Sequence, residues 1–293
     1  MPLNSTTRGY GNIASAVLAA ESAGFHVATF KDTPDAGRVN ALQRAAFAGP
    51  VTRTIAVVPP EVDTVYTEPF HVSTQLASLD YVSGGRAGWI ATAAESPEAA
   101  AAVGRSFVQG EALAQEAAAS IEVSRRLWDS WEDDAVIRDV ATGRYIDVDK
   151  LHYADFETPA DFAGPAYSVK GPSIIPPAVA GSVARVGRGI AGGGEGLVPV
   201  EAVDAVLVTA PTPELLAAEI RDVRARLGSS VAIVAELDVV LDARGQAAAS
   251  RSGAAGGDPT GAVCRLCCGS HRPARLAPQG SRRRANPPCH PGR

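Results

Sequence analysis

Residues 67–89, TEPFHVSTQLASLDYVSGGRAGW, constrain the fold more than any other part of the chain. Residues 70–79 carry apolar side chains at helical spacing, and Ser83-Gly84-Gly85 ends that helix. Residues 87–92 then run apolar without alternation. A strand of that kind needs cover on both faces, which implies a parallel sheet wrapped by helices.

The same alternation extends in both directions. Upstream, residues 13–22 read as a helix closed by Gly24, and 26–30 as a strand closed by Asp32 and Pro34. Residues 38–47 read as a second helix, and 54–58 as a buried strand stopped by Pro59-Pro60. Downstream, Ser96 is an N-cap with Pro97 at the first helical position, opening an Ala-rich helix to about Trp131 with breaks at Gly104 and Gly110. Residues 139–167 are polar and mixed, an excursion from the sheet. Residues 203–208 read as a strand, 213–227 as a helix, and 230–241 as one long strand or two short ones. About five strands emerge, where a closed (β/α)8 barrel needs eight.

Two segments break the pattern. Residues 179–199 hold seven glycines and no aromatic residue, so a flexible loop is expected there. Gly187-Arg188-Gly189 is not a GxGxxG phosphate loop. Residues 250–293 contain no Ile, Met, Phe, Tyr, Trp, Lys or Glu, too little apolar surface to order themselves. The expected organisation is one α/β domain over residues 1–249 and a disordered tail over 250–293.

Charge follows that division. The tail has eight Arg and one Asp, and the net −5 of the whole chain therefore leaves the body strongly acidic. No basic face for nucleic acid is implied. All four cysteines, Cys264, Cys267, Cys268 and Cys289, lie in the tail, so no disulfide framework holds the body. With His271 and His290 they approach a zinc pattern, but a second cysteine pair is missing and no metal site is assigned. No run reaches the roughly 20 apolar residues of a membrane span. The first apolar run is cut short by Glu21, which argues against a signal peptide. A cytoplasmic location is expected.

Several stretches, taken together, carry a family resemblance. They are Glu21-Ser22-Ala23-Gly24-Phe25 with Thr29-Phe30-Lys31-Asp32; Asp63-Thr64-Val65-Tyr66-Thr67-Glu68-Pro69-Phe70-His71; and Leu79-Asp80, Ser83-Gly84-Gly85-Arg86 and Gly88-Trp89. Further along are Leu127-Trp128-Asp129-Ser130-Trp131-Glu132-Asp133-Asp134-Ala135 and Gly171-Pro172. Over residues 14–176 the chain resembles the bacterial luciferase-like flavin monooxygenases, in the branch acting on organosulfur compounds, aminopolycarboxylates and alkanes. The resemblance implies a (β/α)8 barrel, incomplete here because the strand before the first helix is lacking. It also implies reduced FMN supplied by a flavin reductase, dioxygen, and a small organic substrate. A deazaflavin (F420) oxidoreductase and a non-catalytic flavin-binding protein are the alternatives. Homo-oligomerisation is left open.

The resemblance places Asp32, Thr64 and Thr92 at strand ends, where polar groups meet the flavin. Asp32 reads equally as a turn residue and Thr64 as a strand terminus. The sequence assigns no catalytic residue: His71 opens a helix and lacks a partner for acid–base work. Arg86 is expected to pair with a carboxylate such as Asp80 rather than to hold phosphate. Trp89 is expected in the core. The chain also departs from the family pattern. Ile90, Ala93 and Ala94 replace an Asn and a Thr-Ser pair, and Gly110 and Ala114 fall where the family has His and Tyr.

Overall fold

The computed structural model describes residues 10–30, 40–59, 62–188, 203–239 and 264–268. Strand β1 (Val27–Thr29) follows helix α1 (Tyr10–Ser22), and β2 (Ala56–Val58) follows α2 (Ala41–Val51). Asn40 caps α2, its side-chain oxygen accepting from the Gln43 amide at 2.9 Å. β3 (Val62–Asp63) continues β2 beyond the two prolines, which lack the amide protons an unbroken strand would use. Helix α3 (Pro69–Ser83) starts on a proline and ends at Gly84 and Gly85, whose φ angles of 68° and 80° are left-handed. β4 (Gly88–Thr92) is buried over its first four residues.

The strands β1, β2 and β4 run parallel, β2 joining β4 through the Val57–Ala87 bridge. β4 then pairs on one side with β3 and on the other with β9 (Ala184–Arg188). β9 pairs with β10 (Ala205–Val208), β10 with β11 (Ala232–Val239), all parallel, and β11 with an antiparallel β12 (Cys264–Cys268). Helix α6 (Pro213–Leu227) connects β10 to β11 and is capped by Thr212.

The expected Ala-rich helix is two helices. Ser96 caps α4 (Pro97–Ala102), Gly104 turns the chain at φ 69°, and α5 (Gly110–Trp128) begins at Gly110. Trp128 packs edge-on against Trp89 in the core under the sheet, and its indole donates to the Ser73 carbonyl at 3.0 Å. Leu127 faces the other way, into a cluster with Val123, Ala154 and Phe156. That cluster seats the polar excursion. The excursion consists of the hairpin β5 (Val136–Asp139) and β6 (Arg144–Ile146), and the pair β7 (Phe156–Glu157) and β8 (Ser168–Val169).

Three expectations change. Residues 184–188, inside the segment expected to be irregular, form β9, which sits centrally between β4 and β10. Residues 264–268, inside the tail expected to be disordered, pair as β12 along the open edge of β11, and the rest of residues 250–293 lies outside the described residues. Arg86 does not pair with Asp80. Its guanidinium instead donates to the carbonyls of Gly49, Thr52 and Ile55 and to the Thr52 hydroxyl, closing the C-terminal end of α2. The fully buried Asp80 accepts from the amides of Ala87 and Ala180. No helix among the described residues is long and apolar enough to cross a membrane.

Candidate functional site

The parallel strands direct their C-terminal ends to one side of the sheet, where ligands of α/β folds are bound. At that side β3 and β4 build a polar shelf. The Thr64 hydroxyl and amide both donate to the Thr92 carbonyl, at 2.9 and 2.8 Å. Thr64 is almost fully buried, whereas Thr92 is half-buried at the end of β4. One carboxylate oxygen of Asp63 accepts from the amides of Val65 (2.9 Å) and Ala94 (3.3 Å), and the other from the amide of Tyr66 (3.2 Å). Burial pushes the Asp63 carboxyl above its ordinary value, against the opposing pull of those amides and of Arg105. Asp32 lies outside the described residues. The structure thus brings Thr64 and Thr92 into direct contact.

Beside the shelf lies a cavity of about 210 Å³, lined by Val65, Tyr66, Arg105, Ser106, Val108, Glu116 and Pro165. Four parts of the chain line it: the loop after β3, the connection from α4 to α5, the α5 face carrying Glu116, and the connection from β7 to β8 carrying Pro165. Arg105 donates to the Val65 carbonyl at 2.6 Å and stands 3.9 Å from Glu116. The Tyr66 hydroxyl accepts from the Val108 amide at 3.2 Å. Glu116 is 6% exposed, and its Oε2 has no hydrogen-bond partner among the described residues. Burial raises its carboxyl above the usual range; the charge of Glu68 adds to the shift, and that of Arg105 opposes it. The buried hydroxyl of Tyr167 also lacks a partner among the described residues, and burial, with the charge of Glu116, pushes it above the ordinary tyrosine range.

Of the other positions singled out in the sequence, Ala93 and Ala94 border this centre. His71 is exposed in the first turn of α3, where its ring meets the Phe70 ring edge-on. Ile90 is buried against Val58 and Leu207, and Ala93 packs with Val65 and Tyr66. Gly110 is exposed at the start of α5, and Ala114 is half-buried one turn later. Asp63, Arg105 and Glu116 are additions that the structure makes to the site. Glu116 has a legible signal in the sequence: it interrupts the buried face of α5 marked by Leu113, Ala117, Ser120 and Ser124. Arg105 has none, since only the turn at Gly104 brings it back over the loop after β3. Among the described residues no group of three or more His, Cys, Asp or Glu side chains is placed to hold a metal ion.

The luciferase-like monooxygenase family model matches residues 2–284. An N-acetyl-S-(2-succino)cysteine monooxygenase of Bacillus subtilis is 36% identical over 135 residues, which are 46% of this chain and 29% of that protein. A component of the pristinamycin IIA synthase of Streptomyces pristinaespiralis is 34% identical over 209 residues, 69% of this chain and 67% of that protein. A dibenzothiophene-sulfone monooxygenase of Rhodococcus erythropolis is matched over only 36% of its own length, at 28% identity across 58% of this chain. Among solved structures, a long-chain alkane monooxygenase superimposes with a TM-score of 0.69 at 20% identity, covering 82% of this chain and 60% of that one. A riboflavin lyase holding modified FMN and riboflavin gives 0.63 at 23% identity, covering 80% and 55%. The structural likenesses establish a shared barrel-type fold.

Proposed function

Since the chain belongs to the luciferase-like monooxygenase family, we propose that it is a flavin-dependent monooxygenase. It would use reduced FMN from a partner reductase, and dioxygen, to oxidise a small organic substrate. The observation that carries this reading is the polar shelf at the ends of β3 and β4.

The donor set of the shelf suits a flavin edge. The half-buried Thr92 hydroxyl can donate or accept. Asp63 retains acceptor capacity beyond its three amide bonds. Thr64 acts through Thr92: it holds the Thr92 carbonyl and so fixes the end of β4 before any ligand arrives. Asp32 follows β1 by three residues and belongs to the same site in this reading. Bound FMN supplies the redox chemistry with dioxygen; the protein supplies binding, orientation and exclusion of water. Gly110 and Ala114 contribute no side-chain donor, so the flavin is held chiefly from the strand ends.

The test is a titration of the purified protein, without oxygen, with reduced FMN and separately with reduced F420. FMN is expected to bind, and Thr92→Val to weaken it about tenfold, the worth of one lost hydrogen bond. Admitting oxygen with an organosulfur probe should then give the oxygenated product. Preference for F420 would move the reading to an F420-dependent oxidoreductase on the same scaffold. FMN binding without turnover of any probe would indicate a flavin-binding protein that does not catalyse. Binding of neither cofactor would overturn the flavin reading.

A further inference from the structure

We propose that the cavity beside the shelf is a binding site for a small organic ammonium ion, with Glu116 Oε2 as the acceptor of its N–H groups. Glu116 is more than nine-tenths buried and lines the cavity, yet Oε2 has no donor among the described residues. A buried carboxylate oxygen left in that state is costly, and a donor from a ligand removes the cost.

The local charge favours a cation as that donor. The charge of Glu68 acts on Glu116 as a like charge, and Arg105 is the neighbouring cation that opposes it. Arg105 only partly neutralises Glu116, because it stands 3.9 Å away and spends a donor on the Val65 carbonyl at 2.6 Å. A positive ligand completes the balance at Glu116, the one carboxylate among the residues lining the cavity.

The remaining walls set the shape of the ligand. Val65, Val108, Pro165 and the Tyr66 ring present apolar surface. A dry cavity of about 150 Å³ accepts benzene, so about 210 Å³ holds one small ring or a short alkyl chain with its charged head. That space is too small for a tricyclic isoalloxazine. The cavity can therefore be tested without flavin.

The experiment is calorimetric titration of the full chain, free of flavin, with benzylammonium chloride at neutral pH. Benzyl alcohol serves as the neutral isostere. Benzylammonium is expected to bind at least about tenfold more tightly, the worth of a charge-assisted hydrogen bond. Glu116→Gln should abolish that preference while leaving the circular dichroism spectrum unchanged. Val108→Trp fills the cavity from a wall without altering the carboxylate, and should remove binding of both compounds. Equal affinity for amine and alcohol, an unchanged preference in Glu116→Gln, or no binding at all would overturn the proposal. Binding that survives Val108→Trp would place the ligand elsewhere and overturn it equally.

Discussion

β4 and β9 are neighbours in one parallel sheet, yet they reach their places by different means. β4, GWIAT, is apolar enough to be recognised alone, and its first four residues are buried. β9, ARVGR, carries two arginines and a glycine in five residues. Its position is set by partners. The Arg185 amide donates to an Asp204 carboxylate oxygen at 2.8 Å, and the Arg185 guanidinium holds both oxygens of that carboxylate. Val183, just before β9, is fully buried and joins Val203 in the main core. Pattern places β4; tertiary contacts place β9.

If that contrast is right, the largest loss should come from the apolar side. Trp128→Ala removes the ring packed on Trp89 and its bond to the Ser73 carbonyl. It should cost about 3–5 kcal/mol, read from urea denaturation. A loss under about 1 kcal/mol would show that β4 does not depend on its helix cover.

Glycine replacement compares the two strands more directly. A Cβ on Gly88 would stand 2.7 Å from a methyl of Val58, whereas one on Gly187 would stand 3.3 Å from a methyl of Val203. Gly88→Ala should destabilise by about 1–3 kcal/mol through overpacking. Gly187→Ala should cost clearly less, since Val203 needs to give only a few tenths of an ångström. The reverse order in thermal melts would mean that β9, not β4, is the tightly packed strand.

Arg185→Met tests the polar anchor. The pair is partly exposed, with Asp204 46% accessible, so the expected loss is about 1 kcal/mol. It should shrink in high salt, unlike the losses at Trp128 and Gly88. A salt-independent effect would indicate that Arg185 acts through packing of its stem.

The smallest effect should lie at the outer edge of the β4 side, and it depends on pH. One oxygen of Glu21 accepts from the amides of Arg53, Thr54 and Ile55, tying α1 to the start of β2. Those bonds lower its carboxyl from 4.5 to about 2. A depressed carboxyl favours the fold above its unfolded value, and the benefit is lost as pH falls through the folded one. Glu21→Gln should therefore melt slightly lower at neutral pH and converge on the unsubstituted protein near pH 2. Parallel melting curves across the acid range would exclude this role.

The same contrast explains what can be read from the sequence. α3 with its glycine stop, β4, and the interruptions at Gly104 and Gly110 follow from local rules: a proline start, left-handed glycines and continuous apolar residues. β9 and β12 depend on what lies beside them, which no local window contains. The candidate site divides in the same way. Thr64 and Thr92 can be named because they end strands. Arg105 and Glu116 meet only after the chain has folded back, so their partnership is invisible in the sequence, although a lone carboxylate on a buried helical face is a usable sign.

The interruption between β2 and β3 has an effect on sidedness. Val57 lies opposite Ala87, and Val62 lies opposite Ala91, so one strand spends five residues where its neighbour spends four. In a pleated strand successive side chains point to opposite faces, and an odd residue inverts the phase of everything beyond it. Asp63 and Thr64 thus stand on faces opposite to those an unbroken β2 would have given them. Removing one residue at 59–61 would cancel that odd residue and leave Asp63 opposite Thr92, whereas an unbroken strand of the present length would carry Asp63 one place on, opposite Ala93, and so to the other face of the sheet.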